Sequence, residues 1–293
     1  MAVSEAQSEG ITMSGGGLYS LATTGAKDVI DAATPLVLEA IEALPLASIE
    51  KGFTISDMGS ADAGTSLSMI GKVIDAVSKR VPAAPVSVVY TDQPRNDFNA
   101  LITNIYGLGP FETYLDKRDN VYPLVSGTSF YRQIIPSDSL NLGFSATAMH
   151  WLSSKVCNIS NHVQAVGAAG AELKAFQDQA HSDWRQILLH RAYELKSGGK
   201  LVLINFGTDE QGRYLGNTGG INMFDTFNAI WESFLDMKRI TREEYENMTL
   251  PQYYNSVEEF SAPLVNPDEV VYKAGLRLDH IDTGIVKCPF AED

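Results

Sequence analysis

The chain has 293 residues, 44% of them hydrophobic and 20% charged, a globular composition that excludes a disordered or fibrous chain. Its 22 Lys and Arg against 36 Asp and Glu leave a net charge of −14; with no basic run, this argues against nucleic acid as a ligand and is compatible with a cationic small molecule. Cys157 and Cys288 are too far apart for ligand or redox spacing, so neither a disulfide scaffold nor a structural zinc site is expected.

The first ten residues hold neither the basic nor the apolar region of a secretory signal. No stretch approaches the roughly 18 apolar residues of a membrane span. A soluble, cytoplasmic protein is therefore expected. Residues 1–17 are polar and end in Gly15-Gly16-Gly17, a flexible lead-in. Val29, Ile30, Ala33, Leu36, Val37, Ile41 and Leu44 recur at helical spacing over 26–47, with Pro35 as a break or restart. A strand over 53–57, a Gly-rich turn at 59–64, a helix from Thr65 to Arg80 and a strand over 86–90 form a βαβ unit. The alternation continues through a helix near 97–106, strands at 122–126 and 140–145, and a helical stretch over 164–195. Gly198-Gly199 stops that helix, and a buried strand follows at 200–206. Strands alternating with helices predict an open, largely parallel sheet.

From residue 215 the alternation ends. Residues 220–245 read as helical and aromatic-rich, with Phe224, Phe227, Trp231 and Phe234. Helix starts are signalled at Ser256 with Glu259 and at Asn266 before Pro267, and a last strand at 276–282. The predicted organisation is an N-terminal segment (1–25), an α/β core (26–214), a mainly helical cap (215–275) and a returning strand with the C-terminus (276–293).

Four segments fall at strand carboxyl ends, where an open sheet places its ligands. The first runs from Asp57 to Ser66. Gly59 lets the backbone approach a ligand, and the following helix N-terminus offers N–H groups. Ala61 stands in place of the middle glycine of the dinucleotide fingerprint, so the NAD pattern is imperfect. Asp57 and Asp62 suit a cationic ligand without phosphates; an ordinary βα turn is the alternative. The second is Asp92, placed where a carboxylate accepts both ribose hydroxyls. The third is Ser129-Phe130, which offers a hydroxyl and a ring to an adenine, or is only a strand-to-loop turn with a core Phe. The fourth runs from Ser145 to Ser153. Trp151 offers an aromatic face there, and His150 is the only histidine near the expected crevice; a core Trp and a structural His are the alternatives.

These blocks carry a resemblance. Asp57-x-Gly59-Ser60-Ala61-Asp62-x-Gly64-Thr65-Ser66 comes first, then Asp92 with Asn96-Asp97-Phe98-Asn99. Ser129-Phe130-Tyr131 with Pro136 follows, then Ser139-Leu140 leading to Trp151-Leu152-Ser153. Together they resemble the SABATH family, the salicylate, benzoate, jasmonate and theobromine-type methyltransferases that use S-adenosylmethionine. The resemblance runs from about residue 14 to 281, with a first turn closer to microbial than to plant members. It implies a Rossmann-like class I methyltransferase sheet with helices on both faces and an α-helical cap. S-adenosylmethionine would be the cofactor, with Asp57, Gly59, Asp62 and Thr65 near its methionine and ribose end and Asp92 on the ribose. Ser129 and Phe130 would hold adenine, Ser145 would flank the cofactor, and Tyr19 and Thr23 would close over it. Trp151 would contact the acceptor, and Met223, Phe224 and Phe227 would roof the acceptor pocket.

The sequence also departs from the plant pattern. Thr65 stands near a family asparagine, Thr147 replaces an acceptor-binding tyrosine, and Ala26 falls where a glutamine holds the acceptor carboxylate. Only Trp151 of the usual carboxylate clamp remains. The expected acceptor is then a small molecule, smaller or more polar than salicylate, held by Thr147, His150 and Trp151. Carboxyl O-methylation is favoured, with His150 and Trp151 as the catalytic pair; if His150 is the positive partner, activity on an acid declines above the His pKa, near 6.5 unperturbed. N-methylation and a non-catalytic cofactor-binding subunit are the alternatives, and an NAD-dependent oxidoreductase is third. No metal is required, and a homodimer is left open. The chain ends short of the family's seventh strand, which reads as a shortened or divergent C-terminus.

Overall fold

The computed structural model describes residues 15–217 and 220–286. The chain divides into two compact units. A sheet unit comprises the described residues up to 148, 189–205 and 286; a helical unit comprises 149–188 and 206–285.

The sheet unit opens with α1 (Leu18–Ala22) and α2 (Thr24–Glu42), then a short α3 (Leu46–Ile49). Pro35 does not break α2 as expected. It removes one backbone donor on an exposed turn, while Ile30, Thr34, Val37 and Ile41 keep a continuous buried face at helical spacing. Five strands follow: β1 (Phe53–Met58), β2 (Val86–Thr91), β3 (Val121–Ser126), β4 (Leu140–Ala146) and β5 (Leu195–Ile204). All pairings are parallel, in the order β3-β2-β1-β4-β5. Between β1 and β2 runs α4 (Leu67–Arg80), and between β2 and β3 runs α5 (Phe98–Ile105).

Burial explains the strand compositions. β1, β2 and β4 are almost wholly buried, as strands covered on both faces must be, and carry small polar residues such as Ser56, Asn141 and Ser145 among their apolar ones. β3, at the edge, is only partly buried. The buried face of α4 (Leu67, Ile70, Ile74 and Val77, with Met69 and Val73) joins the core with Ile55, Val88 and Phe144. Full burial of each such side chain contributes about 1.5–3 kcal/mol. β5 begins earlier than the glycine pair suggests. Its register against β4 jumps from Leu140–Leu195 to Leu142–Lys200, so Ser197-Gly198-Gly199 bulges out, with Gly198 at φ 76°.

The helical unit holds residues 170–188 of α6 (Gly170–Glu194), then α7 (Met223–Asp236), α8 (Arg242–Asn247), α9 (Val257–Val265) and α10 (Val270–Lys273). The sequence reading assigned 149–188 to the core; the structure groups them with 206–285. Ser256 and Glu259 form the expected capping box on α9. Asn266 starts no helix: its side chain caps a turn at Asp268, and α10 begins after Glu269. The strand expected at 276–282 is irregular backbone. Leu276 and Leu278 are only half-buried, and Arg277 turns back onto Tyr272, its guanidinium carbon 3.3 Å from the ring centre. The lead-in over 1–14, Cys288 and the last residues fall outside the described part of the chain.

Candidate active site

β2 and β3 lie on one side of β1, β4 and β5 on the other, so the winding reverses between β1 and β4. Ligands of open sheets bind beyond the strand carboxyl ends at such a reversal. A recess opens there, lined by Asp57, Gly59, Ser60, Thr65 and Ser66 after β1, by Phe144, Ala146 and Thr147 at the end of β4, and by Tyr19 and Ile30. Asp57 is buried and accepts a hydrogen bond from Ser66 Oγ at 2.6 Å. Burial pushes its carboxyl up to about 7; the Ser66 hydroxyl opposes the shift and the Asp92 charge adds to it.

The turn after β1 is built around Gly59, at φ 77°. A Cβ there would lie 2.5 Å from the Ala148 Cβ, so no other residue fits. Ala61 and Ala63 are also left-handed, at φ 47° and 61°. The expected N–H groups belong to the N-terminus of α4; in the turn before it, five amides have partners within the protein. The amides of Gly59 and Ser60 both donate to the Thr91 carbonyl (2.8 and 3.1 Å). Ala61 N donates to Asp92 Oδ2 at 2.8 Å, Ala63 N to the Ser60 carbonyl at 2.7 Å, and Gly64 N to Asp62 Oδ1 at 3.2 Å. With five of its amides so engaged, the turn offers few donors to a phosphate. Asn96 Nδ2 on the Ala61 carbonyl (2.8 Å) and Asn104 Nδ2 on the Asp62 carbonyl (2.9 Å) fix it further.

The expected cofactor residues separate by where their polar atoms go. Asp92 takes Ala61 N on one oxygen and Gln93 N (2.7 Å) on the other, leaving lone pairs on both; burial raises its pKa. Asp62 faces α1 and not the recess: it accepts from Ser20 N at 3.1 Å and from Ser20 Oγ. Its role is to hold the N-terminal helix, as Asp97 holds Gly16 N at 2.8 Å. Tyr19 and Thr65 line the recess. Thr23 turns its hydroxyl to the Tyr19 carbonyl (2.6 Å), closing α1. Ser145 donates to the Met58 carbonyl (2.7 Å), tying β4 to β1. Ser129 accepts weakly from Tyr131 N at 3.4 Å, and the Phe130 ring meets that of Tyr131 at a tilt of 50°, their centres 4.8 Å apart. Phe130 Cε1 lies 3.7 Å from where a Gly59 Cβ would stand. Thr147, expected on the acceptor, instead lines this recess at φ 51°.

In the helical unit, His150 and Trp151 sit on a short segment that pairs with 251–253. Trp151 bridges Gln252, and Tyr253 N donates to the His150 carbonyl at 3.0 Å. His150 is 4% exposed, and its ring lies 4.8 Å from Phe206, 5.7 Å from Trp151 and 5.8 Å from Tyr254. Tyr254 also meets Tyr214 and Phe224. Burial among these rings pushes the His150 pKa down to about 3, so the ring is neutral at physiological pH. This corrects the conditional expectation of a positive partner. Its Nδ1 is buried without a hydrogen-bond partner. Of the expected roof residues, Phe224 is buried in the cluster, Met223 is half-buried, and Phe227 is 51% exposed, edge-on to Phe224. Sequence reasoning missed Phe206, Tyr214 and Tyr254. Phe206 had a signal, the carboxyl end of the clearest strand; the two tyrosines had none.

Comparison with known proteins accords with this geometry. A solved structure of loganic acid methyltransferase with SAH superposes with a TM-score of 0.73, covering 86% of this chain and 74% of that one at 24% identity. Methyltransferase LUC1 of Fusarium sp is 30% identical over 69% of this chain and 54% of its own length. Indole-3-acetate O-methyltransferase 1 of Arabidopsis thaliana is 26% identical over 77% of this chain and 65% of its own. The chain thus spans about half to two thirds of these curated relatives. The model of the SAM-dependent carboxyl methyltransferase family matches residues 9–270, and the chain belongs to that family.

Proposed function

We propose that the protein transfers a methyl group from S-adenosylmethionine to the carboxylate of a small acid. One observation carries the reading: the recess at the strand reversal presents a buried carboxylate, Asp57 near the end of β1, beside a turn with five engaged amides. That chemistry suits a cationic, phosphate-free ligand and does not suit the pyrophosphate of a dinucleotide. When bound, S-adenosylmethionine supplies a methyl carbon activated by its sulfonium for in-line displacement.

Asp57 meets the positive end of the cofactor, Asp92 accepts the ribose hydroxyls on its remaining lone pairs, and Ser129 and Phe130 hold the adenine. Tyr19, Gly59, Thr65 and Thr147 shape the recess, and Ser145 sets the spacing of its two sides. On the acceptor side, Trp151 and neutral His150 orient the acid through neutral donors, among Phe206, Phe224 and Tyr254. Met223 and Phe227 bear on acceptor choice. A carboxylate acceptor is already ionised, so no residue need take a proton. Alignment and exclusion of water carry the rate, and alignment alone supplies about 7–11 kcal/mol in well-oriented systems. An amine acceptor is the second reading, its proton passing to water, because burial that holds His150 near a pKa of about 3 makes that ring a poor base. No described helix is long and apolar enough to cross a membrane; a cytoplasmic setting and a homodimer belong to the proposal.

Calorimetry with S-adenosylhomocysteine and NAD, followed by labelled methyl transfer to a panel of small acids and amines, tests it. Binding of S-adenosylhomocysteine alone with turnover of acids is expected. Binding without any turnover would favour a non-catalytic subunit, and binding of NAD would refute the reading.

A further inference from the structure

We propose that Arg191 and Glu194, near the end of α6, are positioning residues that set the adenine-holding loop 129–134. The proposal rests on the cofactor reading above. Both side chains are fully buried. Arg191 donates through Nε to Glu194 Oε2 and through Nη2 to Oε1, each at 2.6 Å. Its remaining donors leave the pair for the loop: Nη1 to the Phe130 carbonyl at 2.9 Å and Nη2 to the Arg132 carbonyl at 2.8 Å. Glu194 completes the clamp by accepting from Ile134 N. Three backbone groups of one irregular segment are thereby fixed to a single planar ion pair.

The loop lies outside every strand and helix, so no ladder fixes it. Within it, Arg132 N donates to the Ser129 carbonyl (2.9 Å) and Tyr131 N makes a long contact to Ser129 Oγ. Burying two charges is costly, and an apolar pair of equal volume is often as stable. What the apolar pair cannot do is hold two carbonyls and an amide in one plane, which the guanidinium fork and its carboxylate do. The held carbonyl of Phe130 belongs to the residue whose ring approaches the Gly59 turn. The clamp's own bonds go to Phe130, Arg132 and Ile134 and to none of the residues that line the recess with Asp57, so it acts on the site through the loop that carries Ser129 and Phe130.

The test uses the whole chain, with S-adenosylhomocysteine and with S-ribosylhomocysteine, the same molecule without its adenine. The Arg191→Met/Glu194→Leu double variant removes both charges, so neither is left buried alone, and releases the Phe130 and Arg132 carbonyls and the Ile134 amide. We expect S-adenosylhomocysteine to bind roughly 10-fold or more weakly to it, as loss of a charge-assisted clamp implies, with S-ribosylhomocysteine unchanged within about twofold. Arg191→Lys keeps the charge without the fork and should show the same selective loss, which decides the matter if the double variant does not fold. Equal losses for both ligands, or none for either, overturn the proposal. Failure of the unaltered protein to bind S-adenosylhomocysteine would instead refute the cofactor reading.

Discussion

In the sheet unit the groups proposed to face the cofactor are carboxylates, a buried Asp57 held by Ser66 and a half-buried Asp92 held by two backbone amides. In the helical unit they are neutral rings gathered from residues 150, 151, 206, 214, 224 and 254. Asp57 follows from strand register, since the β1–β2 pairing sets Asp57 against Tyr90 and brings the Thr91 carbonyl to the Gly59 and Ser60 amides. The aromatic cluster follows from packing alone. The difference teaches a division of labour in the proposed reaction. The cofactor, common to the family, is met by rigid charge placed by hydrogen bonds. The acceptor, which varies among relatives, is met by apolar shape that single substitutions can change.

The comparison breaks most visibly at Asp57. Its carboxyl pKa rises from 3.8 to about 7 on folding. Between those values the native state binds more protons than the unfolded one, so stability falls as pH rises through that window and the loss is complete above it. A shift of that size corresponds to about 4 kcal/mol. Asp57→Asn is therefore expected to stabilise the ligand-free protein at pH 8 by a few kcal/mol and by nothing at pH 3.5, while weakening S-adenosylmethionine binding. Denaturant melts at both pH values, with calorimetry at pH 8, measure both effects. A variant both less stable and undiminished in binding would detach Asp57 from the site.

Asp92 tests the same unit at the ribose. Asp92→Ala removes a charged acceptor from two hydroxyls, and such bonds contribute about 1.5–3 kcal/mol, so affinity for S-adenosylhomocysteine should fall about 10- to 100-fold. The alanine also frees the Ala61 amide, so circular dichroism and melting must show that the variant is folded. Unchanged affinity would remove Asp92 from the ribose.

How much of this the sequence carried follows from the same contrast. The parallel sheet, α4, α5 and the Ser256 capping box were legible because apolar periodicity and capping chemistry are local. The Asp57–Ser66 turn was legible as a site, yet its donors were not. Nothing near Gly59 says that its amide and that of Ser60 will share the Thr91 carbonyl, since that depends on strand pairing. Asp62 reads like Asp57 in the sequence; only the return of α1, through Ser20, gives it a different role. The neutrality of His150 was not legible, because the burial that causes it comes from Phe206 and Tyr254, more than fifty positions downstream. Pro35 was overread, since one missing donor on an exposed turn does not outweigh a continuous buried face.

His150 sharpens the helical side of the contrast. Its pKa falls from 6.5 to about 3 on folding. Below 6.5 the unfolded chain binds the extra proton, so stability drops as pH falls through that window and is fully retained above it. At pH 5 the cost is about 2 kcal/mol. His150→Phe should narrow the stability difference between pH 8 and pH 5 by about that amount, read from urea midpoints. The same neutrality means that acid methylation should not decline above pH 6.5 for want of an imidazolium. A decline there, absent in the variant, would restore the cationic role.

The smallest effect is expected at Phe227, where shape alone is at stake. The ring is half exposed and meets Phe224 edge-on at 6.4 Å. Exposed substitutions usually stay within about 0.5 kcal/mol, so Phe227→Ala should melt like the parent, whereas Phe224, buried in the cluster, could not be cut back without a cavity. Apolar walls set small-molecule preference by the fit of a few groups, and one methylene is worth roughly 1–3 kcal/mol in a tight pocket and less at an exposed rim. The variant should therefore shift kcat/KM between small and bulky acids by less than about 10-fold while leaving S-adenosylhomocysteine affinity unchanged. A change in cofactor affinity would mean that this ring serves the charged side of the reaction after all. Identical acceptor profiles would confine acceptor choice to the buried rings around His150.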